Sequence, residues 1–221
     1  IIKKNFYGIE LRKCENLTII NNIMVHNYAA DHVADSNSSH LIRNTIASNF
    51  IGVQIDPCDL PSTLYYNDFF NNTNQILLHG MAKWDNGKEG NYWSDYIGLD
   101  DGTDGRVMGD GVGDTDLPHL DIDHFPLIAP KGPIPFIWDN TIYSVGLATN
   151  STVALFNFTQ TLQELSFSVI GPSNSTGFCN VTIPLNFMWC DQPDQWQVMI
   201  DNEPPKYFPK PTDNGTHTFL Y

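Results

Sequence analysis

The first third of the chain repeats its pattern of apolar and polar positions. Asn5-Phe6-Tyr7-Gly8-Ile9 returns as Asn27-Tyr28-Ala29-Ala30-Asp31 and as Asn49-Phe50-Ile51-Gly52-Val53, each shifted by 22 residues; Asn72-Thr73-Asn74-Gln75-Ile76 follows after 23. A second polar column, Asn22, Asn44 and Asn67, keeps the same shifts. Three apolar columns run beside them: Leu11, Val33, Ile55 and Leu78; Ile20, Ile42 and Tyr65; Met24, Ile46 and Phe69. So short a period, with alternating apolar positions and no helical spacing, predicts one coil of a parallel β-helix per repeat, with two or three short strands to a coil. Coils stack at about 4.8 Å, and like Asn side chains in successive coils then bond along the stack. The extra residue of the third coil falls between Ile55 and Leu64, which predicts a bulged corner at Pro57–Pro61.

Beyond a stiff linker at Pro130, Pro133 and Pro135 the 22-residue pattern is gone. Alternating segments replace it at Ile142–Thr149, Thr152–Thr159, Leu165–Ile170, Phe178–Ile183, Trp196–Ile200 and Thr216–Tyr221. Turn signals at Asn150-Ser151, Gly171–Asn174, Pro193-Asp194 and Asp213–Gly215 separate them. Short strands at this spacing predict an antiparallel β-sandwich of immunoglobulin-like type. The chain is all-β on this reading, with coils over 1–89, a junction over 90–133 and the sandwich over 134–221.

The junction is where charge changes the picture. Gly90–Leu127 holds nine Asp (95, 100, 101, 104, 110, 114, 116, 121 and 123) against the single Arg106. Like charge at that density packs only if a cation or water takes it up. Oxygen ligands on a Gly-punctuated loop suit a hard cation, so Ca²⁺ is the expected cofactor.

Over the whole chain, 25 acids against 11 bases give a formal net charge of −14, which disfavours nucleic acid and anionic membrane surfaces as partners. No apolar run is long enough to span a bilayer. Ile1 starts inside a patterned region, so the chain reads as a fragment lacking N-terminal coils. The sequon N-x-S/T occurs at Asn16, Asn37, Asn71, Asn150, Asn157, Asn174, Asn180 and Asn214, which points to N-linked glycans and an extracellular location. Cys179 and Cys190 flank Pro184–Trp189, a segment read as one helical turn, and are expected to form a disulfide. Cys14 and Cys58 fall near equivalent corners two coils apart, about 9–10 Å by rung spacing. That exceeds the roughly 7 Å reach of a relaxed bridge, so pairing there needs the corner to fold back.

Three motifs in order carry a family resemblance: Gly90-Asn91-Tyr92-Trp93-Ser94-Asp95-Tyr96 with Gly98, Gly109-Asp110-Gly111-Val112-Gly113-Asp114, and Asp123-His124-Phe125-Pro126-Leu127. They resemble the ending of right-handed parallel β-helix repeat proteins of the periplasmic copper-binding type, also called carbohydrate-binding and sugar-hydrolase repeats, many of them archaeal surface proteins. The resemblance implies a right-handed coil and cation ligands at Asp110 and Asp114, with Asp100 and Asp104 completing the set. Met108 departs from the pattern, standing where the family has an Asp. Copper itself is not carried over, because the sequence shows no soft-ligand cluster. Ser175–Pro184 is similar to a C-terminal module of archaeal secreted and S-layer-associated proteins.

The function expected from these features is a non-catalytic extracellular structural or adhesive glycoprotein, a homo-oligomer or filament subunit of a sheath or surface layer, stabilised by Ca²⁺. The alternative is a polysaccharide-binding or -cleaving module that uses the outward column Glu10, His32 and Gln54, with Asp31 and Asp56 nearby.

Overall fold

In a computed structural model, which describes residues 1–192, 195–205 and 209–221, the repeats wind into a parallel solenoid of about four turns. The first coil holds β1 (Ile2–Lys3), β2 (Tyr7–Arg12) and β3 (Thr18–Ile20). The second holds β4 (Ile23–Val25), β5 (Ala29–Ala34) and β6 (His40–Ile42), and the third β7 (Thr45–Ala47), β8 (Ile51–Ile55) and β9 (Ser62–Tyr65). The fourth holds β10 (Asp68–Phe70), β11 (Asn74–Leu78) and β12 (Ala82–Lys83), and β13 (Tyr92–Trp93) opens a fifth. Like strands stack into three parallel sheets, β1-β4-β7-β10-β13, β2-β5-β8-β11 and β3-β6-β9-β12.

Both Asn columns form ladders. Asn5 N–H donates to Asn27 Oδ1 (3.0 Å), Asn27 N–H to Asn49 Oδ1 (2.8 Å) and Asn49 N–H to Asn72 Oδ1 (3.0 Å). The second column runs through Asn22, Asn44 and Asn67 to Asn91 at 3.0, 3.0 and 3.1 Å. Each ladder Asn except Asn91 follows a residue in the left-handed region: Lys4, His26, Ser48 and Asn71 in one column, Asn21, Arg43 and Tyr66 in the other. Left-handed backbone costs an L residue on the order of 1–2 kcal/mol, so the buried ladder bonds at each corner offset a strain that no glycine relieves.

The core confirms one apolar column, confirms a second except for Leu78, which is exposed, and shifts the third. Leu11, Val33 and Ile55, and Met24, Ile46 and Phe69, point inward. Ile20, Ile42 and Tyr65 are in register but face outward; their neighbours Ile19, Leu41 and Leu64 fill the interior. Alternation leaves adjacent apolar residues ambiguous by one position, and one position is one face. The bulged corner is present: pairing shifts from 22 residues at Val33↔Ile55 to 23 at His40↔Thr63. Asn37 Oδ1 accepts the Asp59 and Leu60 amides there, each at 3.0 Å.

The C-terminal part contains β14 (Ile134–Trp138), β15 (Thr141–Thr149), β16 (Thr152–Thr159), β17 (Glu164–Ile170), β18 (Cys179–Pro184), β19 (Thr212–Asp213) and β20 (His217–Leu220). Five of these form an antiparallel sheet in the order β14-β15-β18-β20-β19, and β16 and β17 pair as a separate ribbon. This uneven division does not reproduce the near-even split of an immunoglobulin domain. Two expectations are corrected. Of the linker prolines, Pro130 and Pro133 stay outside the strands, while Pro135 lies in β14, an edge strand. Trp196–Ile200 forms no strand, only a bridge from Ile200 to Glu203. The turn expected at Pro193-Asp194 lies outside the described residues.

One hydrophobic core joins this sheet and the β16–β17 ribbon to the outside of the first solenoid sheet: Val25, Ala47, Phe70 and Tyr92 pack with Ile134, Phe136, Val145, Val153 and Phe156. Tyr92 Oη donates to Val153 O (2.8 Å), Asn71 Nδ2 to Phe156 O (2.9 Å) and Leu155 N–H to Ser94 O (2.8 Å).

Candidate functional site

The Gly90–Leu127 segment closes the C-terminal end of the solenoid. Trp84, Trp93 and Tyr96 lie on the last coil as part of its core, and Trp93 stacks on Phe69 at 4.2 Å. Asp123 completes the second Asn ladder. Its Oδ2 accepts Asn91 N–H (2.8 Å) and Trp93 Nε1–H (2.9 Å), and its Oδ1 accepts Phe125 N–H (3.0 Å). Gly90 is required where it stands, because a Cβ there would lie 2.0 Å from Asp123 Oδ1. A Cβ at Gly113 would lie 1.9 Å from the Tyr96 hydroxyl, which donates to Thr115 O at 2.7 Å. These glycines of the motif make room for side chains. Burial holds Asp123 above the usual carboxylate range, against the three donors that favour its charge.

Asp68, which carried no signal in the sequence, does similar work on the first sheet. Its oxygens accept Lys131 N–H (2.9 Å) and Gly132 N–H (2.8 Å), pinning the exit of the segment, and burial pushes it up to about 7.

The four expected cation ligands separate into two groups. Asp100 and Asp114 are buried and face across the loop: Asp100 accepts the Gly109 and Gly111 amides, the latter at 2.8 Å, and Asp114 accepts Gly102 N–H at 2.6 Å. Burial raises the Asp100 carboxyl, and the nearby charges of Asp110 and Asp114 add to the rise. Asp110 is exposed and accepts Val112 N–H (3.0 Å). Asp104 is exposed in a short 3₁₀ turn, away from the others' hydrogen bonds. Among the described residues no three His, Cys, Asp or Glu gather in metal-binding geometry. The imidazole and thiolate donors that suit copper do not fit either, because they are scattered.

On the second sheet, Glu10, His32 and Gln54 do share one column. The buried His32 ring lies between two carboxylates, with Nε2 2.9 Å from Asp56 Oδ2 and Nδ1 3.6 Å from Glu10 Oε1. Arg12 joins this face and binds Glu10 at 2.8 Å. That bond holds the exposed Glu10 below its ordinary value; the His32 hydrogen bond does the same for Asp56. Asp31 is not an outer residue. It is in register with Ile9, Val53 and Ile76, residues of the interior. It is fully buried, neither oxygen has a hydrogen-bond partner, and burial pushes it up to about 7.

Six sequon residues, Asn16, Asn71, Asn150, Asn157, Asn174 and Asn214, are exposed, while Asn37 and Asn180 are half-buried. The Asn71 nitrogen is engaged by Phe156 O. Pro184–Trp189 does turn, with the Phe187 and Met188 amides on Pro184 O, but the expected Cys179–Cys190 bridge is not formed and all four cysteines are free. β18 carries Cys179 to the end of the strand opposite that turn, and burial raises its thiol to about 11.

The sequence profile of the family described as Periplasmic copper-binding protein (NosD), a parallel β-helix family, matches residues 1–98, the solenoid coils and the start of the closing segment. No curated protein and no solved structure matches the chain.

Proposed function

We propose that the protein is a non-catalytic, extracellular structural and adhesive glycoprotein that assembles with copies of itself. The observation that carries this reading is that the ladder, closing and outer-face polar residues of the solenoid serve its construction. The Asn columns, Asp68 and Asp123 are consumed in ladder and closing bonds, and Glu10, Arg12, His32 and Asp56 pair along the outer face. The periplasmic description of the matching family and the six exposed sequons support a location outside the cytoplasm. Ca²⁺ belongs to the same proposal, as the ion that relieves repulsion among Asp100, Asp110 and Asp114, with Asp104 as a peripheral ligand. Sedimentation velocity across a concentration series, with thermal melts in Ca²⁺ and in EDTA, tests both parts. Growth of larger species, and a melting temperature lowered by EDTA, are expected. A monomer at every concentration overturns assembly, and a melt indifferent to EDTA overturns the role of Ca²⁺.

A second reading, a polysaccharide-cleaving module, is favoured by one observation, the His32 imidazole held between Glu10 and Asp56. Reducing-end release from a polysaccharide panel, lost in Glu10→Gln and Asp56→Asn, is its test; no release from any member overturns it.

A further inference from the structure

The C-terminal sheet carries a cleft of about 460 Å³, within the roughly 300–1,000 Å³ of small-ligand sites. It lies outside the segment matched by the solenoid family. Three chain turns build it. The β14–β15 hairpin closes on the two residues Asp139 and Asn140, both in the left-handed region, between the paired Trp138 and Thr141. Two such residues are what a tight type I′ hairpin demands, so Asp139 is fixed at the rim by a rigid element. The β16–β17 turn contributes Gln160 and Gln163, and the turn after β18 contributes Asn186, Phe187 and Trp189.

The lining is of two chemical kinds. Phe187 is buried as the floor, stacked on Tyr143 at 4.9 Å and met edge-on by Trp138 at 6.5 Å. Trp189 stands on the rim with 59% of its surface exposed, a large apolar face that the described residues leave uncovered. Around these aromatics stand three amides and one carboxylate, Gln160, Gln163, Asn186 and Asp139. Among the described residues none of these four side chains hydrogen-bonds to the protein, so their donors and acceptors face the cleft and solvent.

We infer that this cleft is a binding site for a neutral saccharide of one or two sugar units. A pyranose presents an apolar C–H face and a rim of hydroxyls that both donate and accept. Flat aromatic surface edged by amides and a carboxylate complements both features. Among the described residues no Lys, Arg or His lines the cleft; Lys3 and Lys4 bond the adjoining Asn140 from outside it, so a uronate, sulfate or phosphate inside the cleft would meet the Asp139 carboxylate and no lining cation. A quaternary ammonium would want an aromatic cage and gains nothing from three neutral amides. The assignment stands on the cleft and deepens the adhesive reading by giving it a ligand. The same chemistry has two sources, a foreign polysaccharide or an N-glycan on a neighbouring copy.

A glycan array of neutral, acidic and choline-bearing ligands, followed by tryptophan-fluorescence titration of the best neutral oligosaccharide, tests the assignment on the full chain. Neutral saccharides are expected to bind. Trp189→Ala and Gln163→Ala, both exposed and outside the core, should each weaken binding about tenfold or more, the loss of an anchoring contact. Phe50→Ala on the solenoid surface should leave binding unchanged. Titration with glycans released from the protein itself, and sedimentation after enzymatic deglycosylation, separate the two sources. Absence of any neutral ligand, binding that survives Trp189→Ala, or preference for acidic or cationic ligands overturns the site. The concentration dependence of sedimentation with the cleft mutated is read separately, so failure here leaves the assembly proposal standing or falling on its own result.

Discussion

Asp31→Val gives the most quantitative test of the solenoid interior. Asp31 occupies an interior rung whose other members are Ile9, Val53 and Ile76, and its carboxyl oxygens find no partner. Burial pushes its pKa from 3.8 up to about 7. The folded state therefore holds a proton that the unfolded chain gives up near pH 4. The associated stability is full below the unfolded value and is lost as pH rises through about 7. A rise from 3.8 to about 7, at about 1.36 kcal/mol for each pH unit, amounts to roughly 4 kcal/mol. That is a large share of the roughly 5–15 kcal/mol typical of a domain. Valine supplies the side chain that the column otherwise uses. Urea denaturation at pH 4.5, 6 and 8 should show Asp31→Val more stable than the parent by up to about 4 kcal/mol at pH 8, with the gain shrinking towards pH 4.5. Asp31→Asn removes the titration without adding apolar burial, and should flatten the pH dependence with a smaller gain. Asp68, also raised to about 7, titrates in every variant and cancels in the differences. A valine variant less stable than the parent at pH 8, or one with the parent's pH slope, refutes the reasoning.

Further substitutions probe the ladder, its end and the joint core. Asp123→Ala strands the Asn91 and Phe125 amides and the Trp93 indole N–H, and should cost about 2–4 kcal/mol by urea denaturation. Asp123→Asn keeps the acceptor and continues the Asn column, so it should recover much of that loss. Asn49→Ala removes the acceptor for both Asn27 donors and the bonds to Met24 O and Ala47 O; a loss of about 3 kcal/mol is expected. The exposed Lys83→Ala should stay within about 0.5 kcal/mol in the same assay. Tyr92→Phe leaves Val153 O without its hydroxyl donor and should cost about 1 kcal/mol with an unchanged m-value, because solenoid and sheet share one core.

The repeat was legible because a ladder needs the same residue in every coil. Asn5, Asn27, Asn49 and Asn72 are the visible trace of hydrogen bonds that run between coils. The facing of neighbouring apolar residues was not legible: Ile19 and Ile20 differ by one position and point to opposite sides. Asp31 was hidden for the same reason: the repeat aligns it with Ile9 and Val53, but a carboxylate reads as surface until the inward face is known. The acidic segment showed its charge density, but not that Asp100 and Asp114 would turn inward to accept the loop amides of Gly102, Gly109 and Gly111. Asp68 and Asp123 had no periodic signal, since their partners lie 63 and 32 residues away. The C-terminal cleft draws its residues from three turns with no common spacing, and only the folded sheet brings them together.

The central claim, that this solenoid is a surface scaffold that assembles with itself, meets its most direct test in electron cryomicroscopy of the natively glycosylated protein, concentrated in Ca²⁺. The account predicts a regular filament or sheet in which solenoids repeat through one defined contact. A field of single, unassociated particles at every concentration, with Ca²⁺ present, would contradict it.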